Sequence, residues 1–492
     1  MASRIAALVA ERAERAARDA ALVEGRTGQT ITWGDLAGRV AAWTRRSDLA
    51  GRAVLLKEEH PLEFITAYLG LLAAGAVVFP MAPDAPEADV AAACAGFGIE
   101  AKPMNPASRS LAAPVGWAEP GTVVLRTSGT TGTPKGVPLG EARLLHAAGL
   151  VARHHGFSPA DTVYSSLPLF HVNAQVVGVL ASLVSGATLA VDDRFHRRGF
   201  WDVMDRCGVT VLNAVPAILA ILAEERPPAA VAARIRFARS ASAPLPPTTL
   251  RRFEERCGIG VLETYGMTEA AGQISANPLE PAARRPGSVG LPVGIELRVV
   301  DEHGATVAPG IAGLVEITGS TVVDHYLVPG APPSRVPAGG ASGWLRTGDV
   351  AYRDGGGFVH LLGRIDGVIN RGGEKVYPRH VEEVLRRHRR VAEVAVVGEP
   401  DPVLGERPVA FVVARARTPG NGLTNGLGEG LANGFAGGTA GDLARFQEEL
   451  LELCERELSR HQRPARIHLV QSLPSTPTGK VRPDALRAMA AS

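Results

Sequence analysis

The run that decides the fold is Val123-Val124-Leu125-Arg126-Thr127-Ser128-Gly129-Thr130-Thr131-Gly132-Thr133-Pro134-Lys135-Gly136-Val137. Its apolar start, Val123 to Leu125, reads as a buried strand ending in hydroxyls and glycines. Gly129, Gly132 and Gly136 let the backbone turn its N–H groups inward without a Cβ in the way, and Thr127, Ser128, Thr130, Thr131 and Thr133 add hydroxyl donors. Lys135 brings a mobile positive charge. Such a loop suits a polyphosphate. The common nucleotide loop G-x-x-x-x-G-K-[ST] shares the outer spacing of Gly129 and Lys135, but Pro134 stands where its second glycine belongs and Gly136 where its metal-binding hydroxyl belongs. A flexible linker would account for the glycines, yet it needs no lysine held between Pro134 and Gly136 behind a buried strand.

Outward from this run, the bulk numbers bound the rest. A chain of 492 residues is too long for one core, so two or more domains are expected. Lys plus Arg number 52 against 50 Asp plus Glu, which leaves no large single-sign field, so charge implies neither nucleic acid nor an anionic membrane. Cys94, Cys207, Cys257 and Cys454 are scattered, with no paired spacing and no histidine at metal-ligand distance in sequence, and read as reduced thiols. The N-terminus lacks an apolar secretion core and reads as an amphipathic helix, which points to the cytoplasm. Two uncharged runs, Phe64 to Pro83 and Asn173 to Val191, approach a spanning length of about 20 residues. Each breaks at Gly-Ala (Gly75-Ala76, Gly186-Ala187) and continues as a strand-like run, which is how a buried α/β layer reads, so no membrane span is expected.

Helical and strand-like segments alternate before the loop, with strands at Ala53 to Leu56 and Val77 to Phe79 and a capping box at Thr32 and Asp35, and this alternation suggests a parallel sheet. After it, His171 ends an apolar run and can titrate near neutrality; taken alone, a histidine at such a place is more often a satisfied core residue. Val211 to Leu222 and Ile235 to Ala238 continue the alternation. In Glu263-Thr264-Tyr265-Gly266-Met267-Thr268-Glu269, Tyr265 offers an aromatic face, Gly266 close approach, Thr268 a donor and Glu269 an oxygen ligand for a hard cation, although a Thr-Glu pair also caps helices. Glu296 to Val300 and Gly313 to Thr318 read as strands, and Asp349 could accept from two ribose hydroxyls or cap a turn. Strands at Glu393 to Val397 and Val409 to Val413 and helices at Val381 to Arg387 and Leu443 to Leu458 follow. Thr418 to Gly441, rich in Gly and Asn, specifies no packed element and reads as a mobile insertion. Lys480 lies on a Pro- and Gly-bearing loop, where a lone lysine is ordinarily a solvated charge.

Thr127 to Gly136 resembles the signature of the adenylate-forming superfamily, which holds acyl-CoA synthetases, aryl-acid ligases, luciferases and nonribosomal adenylation domains. The further motifs follow in that family's order over nearly the whole chain. The resemblance implies an α/β fold: a large N-terminal domain of two stacked α/β subdomains plus a β-rich subdomain, followed by a small mobile α+β C-terminal domain. Its division would place an ATP- and acid-binding domain at 1–363, a hinge at 364–367 with Asp366, and the mobile domain at 368–492. The resemblance implies ATP bound by Thr127, Ser128, Gly129, Thr130, Thr131, Gly132, Lys135, Tyr265, Gly266, Thr268, Asp349, Arg364 and Lys480, with Mg²⁺ on Glu269 near Thr127. Lys480, His171 and Thr268 would be the catalytic residues. His171, Val215, Ala241 and Ser242 would line the acyl pocket; Ala241 stands where the family has glycine and Ser242 adds a hydroxyl, so the pocket shape is not transferable.

The wording Asn370-Arg371-Gly372-Gly373-Glu374-Lys375 resembles CoA ligases, with Gly372 and Gly373 near a coenzyme A channel. His171, where amino-acid-activating relatives have Asp, implies that the substrate is not an amino acid. The implied reaction activates a carboxylic acid with ATP to acyl-AMP and pyrophosphate, then transfers the acyl group to coenzyme A. Val176, Val177, Val215 and Ile218 tilt the acid toward a hydrophobic acyl or aryl compound, of the kind met in fatty acid or secondary metabolism. The alternatives are an enzyme that loads the acid onto a separate acyl or peptidyl carrier protein, and an inactive acyl or nucleotide sensor. A homodimer is compatible with any of the three.

Overall fold

The structure is a computed structural model that describes residues 3–99, 114–127, 135–330, 332–340, 343–417, 423–424, 440–474 and 481–491. The chain divides into two compact units: Met1–Leu245, Thr249–Arg298 and Glu316–Arg346 form the first, and Pro246–Thr248, Val299–Val315 and Thr347–Ser492 the second.

The first unit holds two sheets. The strands Ala53–Leu56, Val77–Pro80 and Thr122–Thr127 are parallel neighbours, as the alternation implies, and Lys135–Gly140, His325–Val328 and Ser334–Pro337 extend that sheet antiparallel to six strands. A nine-stranded sheet has at its centre the parallel strands Thr162–Ser165, Thr188–Val191, Val211–Ala214, Phe237–Ser240 and Val261–Tyr265. Helix Pro61–Ala73 packs on strands of both sheets, and ten of its thirteen residues are buried, which is why an apolar run this long belongs to a core rather than a membrane. Gly70 on that helix faces Trp43, and a Cβ there would lie 2.1 Å from the indole, so the two helices meet only because the position is bare. The helix carrying Trp43 starts at the expected capping box, with Asp35 N–H donating to Thr32 Oγ1 at 3.1 Å.

The second uncharged run also resolves as anticipated. A π-helix, Asn173–Leu180, passes into helix Ala181–Ser185, stops at Gly186 with φ +80°, and is followed by strand Thr188–Val191. Among the described residues no helix is long and apolar enough to cross a membrane. Against the nine-stranded sheet, Leu212, Ala238, Leu250, Phe253 and Val261 form a buried core with the helices that follow the strands.

In the second unit, strand Val391–Asp401 and strand Gly405–Ala414 form a long antiparallel hairpin, with Arg466–Val470 parallel to the latter. Helices Pro378–Arg386 and Ala440–Glu457 cover one face, burying Val381, Leu385, Phe446 and Leu450. The strands run several residues beyond the expected 393–397 and 409–413. Most of the insertion expected at 418–441 lies outside the described residues; Leu423–Thr424 pairs with Ala416–Arg417, and Ala440 already begins the helix.

Candidate active site

Thr127 and Lys135 are register partners of one antiparallel pair, so the loop between them closes a β-hairpin. A strand, not a helix, follows the lysine. The departures from the common nucleotide loop at Pro134 and Gly136 follow from this, because that loop ends in a helix N-terminus and this one does not. Gly136 corrects a sequence expectation. It sits in strand Lys135–Gly140, where a Cβ would lie 2.8 Å from Val124 Cγ1 and 3.1 Å from Phe97 Cε1, so its bareness makes room for those side chains in the sheet. Ser128, Gly129, Thr130, Thr131 and Gly132 lie outside the described residues, as does Lys480.

Tyr265 closes strand Val261–Tyr265, all five residues of which are buried. The chain then folds back so tightly that a Cβ on Gly266 would stand 1.9 Å from the carbonyl oxygen of Gly272, and Ala271 takes φ +52° to complete the reversal. Thr268–Ala270 is one short 3₁₀ turn, which leaves Glu269 only 9% exposed and anchored by Val323 N–H donating to its carbonyl at 2.8 Å. The Tyr326 hydroxyl donates to Glu269 Oε1 at 3.2 Å, and Lys135 Nζ lies 5.3 Å from the centre of the same ring. One tyrosine therefore joins the two charged groups expected to meet the metal and the phosphates. Tyr326 had no motif around it; it arrives because Leu327 pairs with Gly136.

The residues fit a hard divalent cation in a particular way. Among the described residues no three His, Cys, Asp or Glu side chains converge. Glu269 would then be its protein carboxylate and the nucleotide phosphates would complete the shell, as is usual for Mg²⁺.

Among the residues expected to line an acyl pocket, His171 is exposed, with its ring 4.4 Å from that of Phe170, and stands just ahead of the π-helix. Wide helical turns of this kind are rare and recur at functional sites. Asn173 Nδ2 donates to Ser242 Oγ at 3.0 Å, so the stretch after His171 and the Ala241–Ser242 turn come together. Ala241 is buried and Ser242 is exposed at φ +69°. Val215 is partly buried against the core beneath. Val176, Val177 and Ile218 are buried core side chains. Behind Asn173 lies Arg239, 1% exposed, a charge at a position where the alternation with Phe237 calls for an apolar residue. That break in the period-2 pattern was the signal for it.

The second unit gathers its own cluster. Asp349 and Arg364 are cross-strand partners on Leu345–Arg353 and Val359–Arg364, with Arg364 Nη1 3.5 Å from Asp349 Oδ1. Asp349 sits within a strand, not at a turn, and its N–H donates to Thr347 Oγ1 at 3.0 Å. Arg364 Nε also donates to Asp366 Oδ1 at 3.3 Å, on the 3₁₀ turn Ile365–Gly367. Gly372 and Gly373, at φ +60° and +91°, are the two central residues of the hairpin between Ile369–Arg371 and Glu374–Val376, a turn that requires both to be left-handed.

Residues 105–327 match the family described as AMP-binding enzyme, and 380–480 match the AMP-binding enzyme C-terminal domain. A sulfoacetate–CoA ligase of Cupriavidus necator is 40% identical over 383 residues, covering 77% of this chain and 70% of its own. An oxalate–CoA ligase of Arabidopsis thaliana is 36% identical over 367 residues, covering 74% and 66%. In fold, the chain is similar to ATP-bound MatB from Rhodopseudomonas palustris, with a TM-score of 0.80 over 98% of both chains at 24% identity.

Proposed function

Because the chain belongs to the AMP-binding enzyme family and is an acid–thiol ligase, we propose that it joins a carboxylic acid to ATP as acyl-AMP, releasing pyrophosphate, and then passes the acyl group to coenzyme A with release of AMP. The observation that carries the assignment of residues is the Glu269–Tyr326–Lys135 arrangement, in which Lys135 begins the strand that follows the loop.

Both reactants are anionic, so bond formation at the α-phosphorus needs the charge of the departing pyrophosphate to be held. Lys135 and the hairpin loop, Thr127 to Gly132, hold the β- and γ-phosphates. Mg²⁺, when bound, offsets phosphate charge; Glu269, with Thr127 nearby, would hold it, and Tyr326 keeps the Glu269 carboxylate in place. Tyr265 stacks on the adenine, Gly266 lets it approach, and Thr268 donates to phosphate. Asp349 takes the ribose hydroxyls beside Arg364. His171, Val215, Ala241 and Ser242 border the acid. Lys480 bridges the attacking carboxylate and the α-phosphate, from a C-terminal domain at 368–492 that turns about Asp366; Gly372 and Gly373 then border the coenzyme A channel. The reaction is one of positioning and electrostatics and needs no covalent enzyme intermediate. The cytoplasm, where ATP and coenzyme A are at hand, is the proposed location.

The experiment is Lys480→Ala. ATP–pyrophosphate exchange should fall on the order of 10²–10³-fold, while thioester formation from supplied acyl-adenylate and coenzyme A persists. Equal loss of both half-reactions would overturn the two-step assignment. Replacing coenzyme A with a phosphopantetheinylated carrier protein in the second assay separates the two acceptors.

A further inference from the structure

At the carboxyl ends of the parallel strands Thr162–Ser165, Val211–Ala214 and Phe237–Ser240, the register aligns Ser165, Asn213 and Arg239 on one face. Ligands of open α/β sheets sit at this end of the strands. Arg239 is buried there, and among the described residues no acid pairs with it. Among the described residues its side-chain hydrogen bonds run from Nη1 to Asn173 Oδ1 and to Asn213 Oδ1, both at 3.1 Å, and Nε has no partner. Burial lowers its guanidinium to about 9, and no carboxylate opposes that shift. A buried charge is ordinarily paired, because water no longer stabilises it.

The cation orients the amides in front of it. Asn173 Oδ1 accepts from Arg239 and, at 3.3 Å, from Asn213 Nδ2, so Asn173 must turn its own Nδ2 the other way, toward Ser242 Oγ. Having accepted that bond, the Ser242 hydroxyl keeps its proton for an outside acceptor. Ser242 is exposed and held in a left-handed conformation that serine seldom adopts, a form of backbone strain that collects where ligands are gripped. A chain of donors thus leads from a buried positive charge to an exposed hydroxyl in the turn that borders the acid.

We propose that Ser242, Asn173 and Arg239 form a subsite for a second acidic group on the acid, a carboxylate or sulfonate, so that the preferred substrate carries two anionic groups. This rests on the acid-activating reading above. Ser242 contacts the distal anion, Asn173 fixes the direction of that hydroxyl, and Arg239 is a positioning residue that sets the amide and supplies the positive potential.

Pyrophosphate release measured with length-matched acids tests it: malonate against propionate, and succinate against butyrate. The dianion of the better pair should have the higher kcat/KM, on the order of 100-fold. Ser242→Ala should cut that ratio about tenfold, mainly through KM for the dianion. Arg239→Gln should abolish the ratio, and Arg239→Lys should restore part of it, whereas a merely structural arginine would affect both acids of a pair alike. Monoanions turned over as well as or better than dianions, or variants that lower both members of a pair equally, would overturn the inference. If no acid drives pyrophosphate release, the acid-activating reading fails separately. Thermal shifts with the same pairs then decide the subsite: stabilisation by dianions alone, lost in Ser242→Ala, supports it, and equal shifts overturn it.

Discussion

In the first unit, the carboxylate proposed to meet the metal is nine-tenths out of water behind a tyrosine, on a loop where one added methyl would strike backbone at 1.9 Å. In the second, the carboxylate proposed to meet the ribose faces an arginine across two strands, and that arginine is 49% exposed. The first group is aimed by packing that cannot relax, the second by strand register and a solvated ion pair. A site whose work is to hold a triphosphate still gains from the former, because donors fixed before the substrate arrives cost no reorganisation. A group near a proposed hinge gains from the latter, because a screened pair can be remade without a large loss.

The contrast can be broken at several points. Glu269→Ala should lower ATP–pyrophosphate exchange by on the order of 10²–10³-fold, with a raised Mg²⁺ requirement and an unchanged unfolding midpoint; near-normal exchange would remove Glu269 from the cradle. Gly266→Ala should cost about 3 kcal/mol of stability in denaturant titration, since the obstacle is backbone and not a side chain that can swing away. If the variant is as stable as the parent, the loop is not the rigid element described.

Two ion pairs sharpen the same comparison. Asp161, 5% exposed, is 2.8 Å from Arg236. Burial pushes its carboxyl up, but hydrogen bonds from Arg236, Thr210 and Ser158 outweigh burial and hold it below the ordinary value of 3.8. Its folded pKa is depressed, so its stabilisation is present above 3.8 and disappears as pH falls through the lowered value. Removing it by Asp161→Asn should flatten the acid limb of a stability–pH profile; a profile unchanged from the parent would show that the pair contributes nothing. Arg364→Ala, by contrast, should change stability by less than about 0.5 kcal/mol at any pH, and a larger loss would mean that the second cluster is as rigid as the first.

Much of this was open to reading along the chain. The strand before the hairpin loop, the capping box at Thr32, and the Gly-ended helices inside two membrane-like runs depend on local patterns, and each lies where its pattern puts it. For Gly136 the pattern suggests a loop glycine, because spacing alone does not separate a bare position that bends the chain from one that makes room for Val124 and Phe97. The units also part company with the motifs. Compactness divides the chain near Arg346, while the hinge proposed at Asp366 concerns motion, and compactness is not motion.

The sequence by itself determined the order of the motifs, the α/β alternation and the identity of the groups proposed to touch nucleotide, because those depend on residues near one another in the chain. Tertiary structure alone decided that Tyr326 stands between Glu269 and Lys135, and that Arg239 is buried facing two asparagines rather than a carboxylate. Strand pairing over long separations made those neighbours, and the electrostatic consequence of a charge follows from what surrounds it in space.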